Sequence, residues 1–127
     1  MDTALLVGIR YDEGKKLIEQ LDKTGNKYPV ALWINNSEKD DWVLLIGVPN
    51  LKTSGTKRIF RLIHSVVTKN SIRLSLNDIS LIDSSGKICQ GLRSVIRKTG
   101  FITDKIPFFG NFINGQSFPD SIIYRVN

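Results

Sequence analysis

Residues 27–48, KYPVALWINNSEKDDWVLLIGV, decide the fold class. Pro29 breaks the preceding segment, and from Val30 the side chains alternate. Val30, Leu32 and Ile34 point one way, and Ala31, Trp33 and Asn35 point the other. The polar run Ser37-Glu38-Lys39-Asp40-Asp41 reads as a loop, and Trp42-Val43-Leu44-Leu45-Ile46-Gly47-Val48 as the returning strand, ended by Pro49-Asn50. The return strand is apolar on both faces, which predicts a central place in a sheet. Trp33 and Trp42 are expected to face each other across this hairpin.

Upstream of the hairpin, residues 4–9 (ALLVGI) fit either a short strand or the lead-in to a helix. Asp12 is a candidate N-cap and Gly25 a left-handed stop, which predicts a helix over 12–24. Gly14, Leu17, Ile18 and Leu21 share its inner face, leaving Lys15, Lys16, Glu19 and Lys23 to solvent. Downstream, residues 54–69 read as a second helix with an apolar stripe of Ile59, Phe60, Ile63, Val66 and Val67. Residues 78–82 read as a short buried strand. A third helix is expected over 85–99, with Ile88, Leu92, Val95 and Ile96 inward and Gly100 as its stop.

Asn114-Gly115 is the strongest two-residue hairpin signal in the chain, since both central positions of such a turn need positive φ. Residues 108–113 are expected to pair back with residues from Gln116 onward. Pro119 interrupts that return, so 121–126 is either a distinct strand or the same one after a bulge. Hairpins require antiparallel pairing and the helices are interspersed. The expected fold is therefore α+β: a single domain over 1–127, with a mostly antiparallel sheet of about five strands and about three helices packed on it.

Composition bounds the function. The chain has 127 residues, 18 Lys/Arg against 12 Asp/Glu, and a net charge of +6. Residues 1–50 carry six Lys/Arg against eight Asp/Glu (net −2), and residues 51–127 carry twelve against four (net +8), which together recover that +6. A single cysteine, Cys89, excludes an internal disulfide and fits a reducing, cytoplasmic compartment. Ala4-Leu5-Leu6-Val7 is too short for a membrane span or a secretory core, so no membrane partner is expected. One histidine, His64, and one cysteine exclude a zinc site built from those residue types, and neither a cofactor nor a metal site is expected.

Within 52–98 there are ten Lys/Arg and two carboxylates, Asp78 and Asp83. Lys57, Arg58 and Arg61 belong to the second predicted helix, and Arg93, Arg97 and Lys98 to the third. With both helices on one face of the sheet, these six would form one positive surface able to displace counterions from phosphates. Aromatic side chains among the cations would favour a single strand, but only Phe60 lies there, and its spacing assigns it to the core. The runs Thr53-Ser54-Gly55-Thr56-Lys57 and Ser84-Ser85-Gly86-Lys87 place hydroxyls, a glycine and a lysine at helix starts. They read as ordinary N-caps or as anion sites.

The run GNFINGQSFPDSIIYRV at the C-terminal end, with the ALWINNSEKDDWVLLI hairpin, resembles a group of small uncharacterised bacterial proteins of about this length. The resemblance spans most of the chain and rests on turn and core residues; it implies bacterial origin and carries no activity over to this chain. The leading expectation is a small non-enzymatic binding or accessory protein whose basic helical surface meets an anionic partner, nucleic acid foremost, with no catalytic residue assigned. One alternative is a protein-interaction subunit, in a homodimer or hetero-complex, using an exposed sheet edge or the Trp33 face. Another is a small hydrolase or nuclease in which Asp83, Lys87 or His64 converge.

Overall fold

The segment 27–48 forms the middle of the sheet. The structure is a computed structural model that describes residues 3–36, 41–95, 106–108, 112–113 and 115–127. Strands β1 (Val30–Asn36) and β2 (Asp41–Val48) pair antiparallel, Val30 opposite Gly47 and Asn36 opposite Asp41. Trp33 opposes Leu44 and Trp42 opposes Asn35, so the two indoles are diagonal neighbours on one face and not a facing pair.

A five-stranded mixed sheet runs β3-β2-β1-β7-β4, with β3 Ile79–Asp83, β4 Ile106–Phe108 and β7 Ser121–Val126. Its β1–β2, β1–β7 and β4–β7 pairings are antiparallel. The α+β class stands, but β2 and β3 run parallel, because the chain between them makes a full helical crossover. That crossover holds α2 (Leu51–Ser54) and α3 (Thr56–Lys69). Gly55, at φ 86°, splits the helix expected over 54–69.

The remaining strands, β5 (Phe112–Ile113) and β6 (Gln116–Ser117), form a separate ribbon on either side of Asn114-Gly115, with Gly115 at φ 76° as the turn signal requires. β7 is a distinct strand after Pro119.

Helix α1 spans Thr3–Lys23, so residues 4–9 are helical and Asp12 lies exposed within the helix and is not its cap. Its end follows expectation. Gly25 takes φ 88°, Asn26 N–H reaches Leu21 O and Gly25 N–H reaches Asp22 O, which together close a Schellman motif.

Two cores lie on the two faces of the sheet. Leu17, Ile18 and Leu21 of α1 and Ile59, Ile63 and Val66 of α3 cover Ala31, Trp33, Leu44 and Ile46. On the other face, Cys89 and Leu92 of α4 (Lys87–Val95) cover Val30, Leu32, Leu45, Ile123 and Val126. Gly47 permits that second contact, since a Cβ there would lie 2.8 Å from Val30 Cβ and 3.2 Å from the Cys89 sulfur.

A bulge in β7 ties α1 down. Ala31 pairs with Arg125 and Leu32 with Ile123, which leaves Tyr124 as the extra residue. Tyr124 and Arg125 consequently both reach toward α1. The Tyr124 hydroxyl accepts from Trp33 Nε1 at 2.8 Å and donates to the Tyr11 carbonyl. Gly14 lies directly above, where a Cβ would collide with that hydroxyl.

Arg125, nine-tenths buried, donates to both carboxylate oxygens of Asp22 at 3.1 and 2.6 Å and to the Tyr28 carbonyl at 3.1 Å. Removing one partner of such a pair strands the other charge in the interior. We expect Asp22→Ala to lower unfolding free energy by about 3 kcal/mol, read by urea denaturation.

A second tether joins α1 to the segment after α3. Glu13, buried, accepts from Arg73 N at 3.1 Å and Nε at 3.0 Å, with Lys16 Nζ at 3.4 Å. The Arg73 guanidinium holds the Glu13 carboxyl below its ordinary value of 4.5, against burial, which pushes it up. A carboxylate depressed in this way stabilises the fold above its unfolded value and loses that contribution as pH falls through the lower folded one. Glu13→Gln is therefore less stable than the natural chain at pH 7, and its deficit shrinks below about pH 4.5, measured by denaturation at stepped pH.

Candidate functional site

Helix α3 carries the most uniform charge in the chain. Residues 51–70 include Lys52, Lys57, Arg58, Arg61, Lys69 and His64, and no Asp or Glu. At about 100° per residue, Ile59, Ile63 and Val66 define the buried side, Arg58 lies on one flank, and Lys57 and Arg61 lie outward toward the other. Lys57, Arg58, Arg61 and His64 are all exposed. Among the described residues, none of Lys57, Arg58 and Arg61 has an ion-pair partner.

The start of α3 adds to this field. Its N-cap is Gly55, with no side-chain cap, and its first turn has no acidic residue. The free N–H groups and the positive end of the helix dipole thus stand beside Lys57 and Arg58 without local neutralisation. The capping expected of Thr53-Ser54-Gly55-Thr56 is not made.

The start of α4 behaves differently. Asp83 Oδ1 accepts from Ser85 N at 2.9 Å and Ser85 Oγ at 2.6 Å, and these bonds lower the Asp83 pKa, with help from Leu51 N–H and Lys52. Asp83 thus orders the turn that leads into α4 through Ser85.

Two clefts flank α3. One, of about 540 Å³, is lined by Thr56, Lys57, Phe60, Arg61, His64 and Leu76. The other, of about 500 Å³, lies toward the α1–β1 turn and includes Lys27, Tyr28, Ser54 and Arg58. Phe60, assigned to the core from spacing alone, is half-buried and opens onto the first cleft between the cations. Its adjacency to the cations, though not its exposure, follows from spacing. Residues 57, 60, 61 and 64 fall within about 100° of arc on a helical projection, so an aromatic ring at 60 must border the basic strip.

The six expected cations do not form one surface. Because α3 and α4 pack on opposite faces of the sheet, Arg93 is separated from Lys57, Arg58 and Arg61 by the sheet itself. Arg93 also has work elsewhere: Nη1 donates to Ser84 O at 2.7 Å and Nε to Asn127 O at 2.9 Å, which fastens α4 to the end of β7. Arg97 and Lys98 lie outside the described residues. The candidate surface narrows to α3.

The alternative sites fare as follows. Trp33 is fully buried beneath α1, so the face carrying it offers no surface to a partner. β3 remains an edge of the sheet. His64 and Lys87 line clefts on opposite faces, and Asp83 is engaged with Ser85, so the three do not converge. His64 and Cys89 are likewise separated by the sheet, which removes a Cys–His pair. Among the described residues, no three His, Cys, Asp or Glu side chains gather to hold a metal ion, and no helix is long and apolar enough to cross a membrane. No family model, curated protein or solved structure matches this chain.

Burial pushes the Cys89 thiol pKa up, in spite of Arg93 nearby, which disfavours the reactive thiolate. Ellman's reagent should therefore leave Cys89 unmodified in the folded protein at pH 8 and titrate one thiol per chain in denaturant.

Proposed function

We propose that this protein binds a polyanion, a nucleic acid, through the exposed side of α3, as a non-enzymatic binding or accessory protein. One observation carries the reading: a helix with five Lys/Arg in and just before it has no carboxylate within its span. Elsewhere three arginines are matched to acids, Arg10 to Asp41, Arg73 to Glu13 and Arg125 to Asp22. On α3 the cations Lys57, Arg58 and Arg61 stand free of such partners among the described residues and point at solvent.

Phosphate contacts from such side chains position a strand without reading its sequence. Affinity then comes largely from released counterions and falls steeply with salt. Arg58 faces the flank shared with Lys27, and Lys57 and Arg61 face the other, so the positive strip wraps the outer half of the helix.

The test is a salt titration of oligonucleotide binding by fluorescence anisotropy. Lys57→Ala with Arg61→Ala is expected to reduce the slope of log affinity against log salt by about 2, since each cation lost removes about one phosphate contact. Arg93→Ala is expected to leave that slope unchanged, although it destabilises the fold. Binding that is absent, or that is indifferent to salt, overturns the reading.

A further inference from the structure

The cleft beside α3 is built for a base as well as for phosphates, and we infer that the preferred ligand is a single strand that lays one base on Phe60. This rests on the polyanion reading above and narrows it to a ligand class. The cleft has an apolar floor of Phe60 and Leu76, and it is bordered by Lys57, Arg61, His64 and Thr56. Among the described residues no acidic one lines it. Its volume of about 540 Å³ is ample for a planar heterocycle.

The order of chemistry along the helix matters. Lys57 precedes Phe60 by three residues, Arg61 follows directly, and His64 lies one turn on, so the ring is bordered by two cations and an imidazole. A base resting on that ring leaves its own phosphates within reach of Lys57 and Arg61, whose long side chains carry their charge outward.

Duplex DNA fits this arrangement poorly. Its bases are stacked on one another and shielded by two backbones, so the phosphates can meet α3 while the Phe60 ring stays unused. A single strand satisfies both at once. Each base stacked on an aromatic ring adds a contribution that tolerates any sequence, because every base has a π-face. The occupant is thus identified by charge complementarity at the rim and by an accessible aromatic ring at the floor.

The experiment compares a fluorescein-labelled ten-nucleotide poly(dT) strand with a ten-base-pair duplex, on the full chain, at two salt concentrations. The expected result is tighter binding of the single strand. Phe60→Leu, which keeps an apolar side chain against the core, should weaken single-strand binding about tenfold while leaving duplex binding and the salt slope unchanged. Phe60→Tyr, which keeps the ring, should restore single-strand affinity.

Thermal melts of both variants separate lost stacking from lost fold. If Phe60→Leu folds normally and binds the single strand as tightly as the natural chain, the inference fails and the polyanion reading survives. If neither single strand nor duplex binds, both fail together.

Discussion

Everything on the first face of the sheet depends on one buried hydroxyl. Tyr124 is lifted out of the β1–β7 ladder by a bulge, and its oxygen joins the Trp33 indole N–H to the Tyr11 carbonyl of α1. The rings of Tyr11 and Tyr124 lie 4.6 Å apart, so the same residue also packs against the helix. A glycine at position 14 is what lets the helix come down this far. The Arg125–Asp22 pair, from the neighbouring residue of the bulge, fixes the far end of α1. With α1 anchored, only one strip of the face is left, and α3 fills it; its inward side is thereby settled, and its outward side must be the one bearing Lys57, Arg58 and Arg61.

That filling also explains the fate of α4. β3 and β4 lie at opposite edges of the sheet, four strand spacings or about 19 Å apart. The chain leaving β3 has to cross the sheet, and the face holding α1 and α3 is occupied. The described part of that chain, α4, packs on the other side, where Gly47 makes room for Cys89. A patch shared by α3 and α4 was therefore incompatible with the packing, whatever their charges.

Much of this was legible in residue order. The Pro29 break and the alternation after it located the hairpin, Gly25 located the end of α1, and Asn114-Gly115 located the ribbon, because each is a local rule of backbone geometry. What stayed hidden was relational. Alternation in residues 79–83 is the same for a parallel or an antiparallel neighbour, so the parallel β2–β3 pairing could not be read. Ile88, expected inward on α4, is exposed, while Cys89 and Leu92 are buried there. An apolar stripe locates the inner side of a helix only roughly, and not the face of the sheet against which it packs. Phe60 was lost to the core because the stripe of α3 is broad: residues 59, 60, 63, 66 and 67 all fit it, although only 59, 63 and 66 are buried. The ring at the margin of a stripe is where core and surface cannot be told apart by period alone.

The charge imbalance along the chain changes meaning in three dimensions. The excess of acid in the first half and of base in the second is partly cancelled where α1 meets later segments, since Glu13 takes Arg73 and Asp22 takes Arg125. Arg10 runs the other way, to Asp41 and Asp78. Arg73 and Arg125 thereby keep Glu13 and Asp22 from lying unpaired in or near the interior, whereas Asp41 is half-exposed and the Arg73 side chain itself stays in solvent. Folding thus sorts the cations into two kinds. Those of the α1 contacts are neutralised in place, and those of α3 are not, so a positive field persists over one helix although the chain as a whole is only moderately basic. Self-repulsion among closely spaced like charges costs stability. A fold that pairs Glu13, Asp22 and Asp41 with arginines, and leaves α3 without a single carboxylate, keeps that cost on α3.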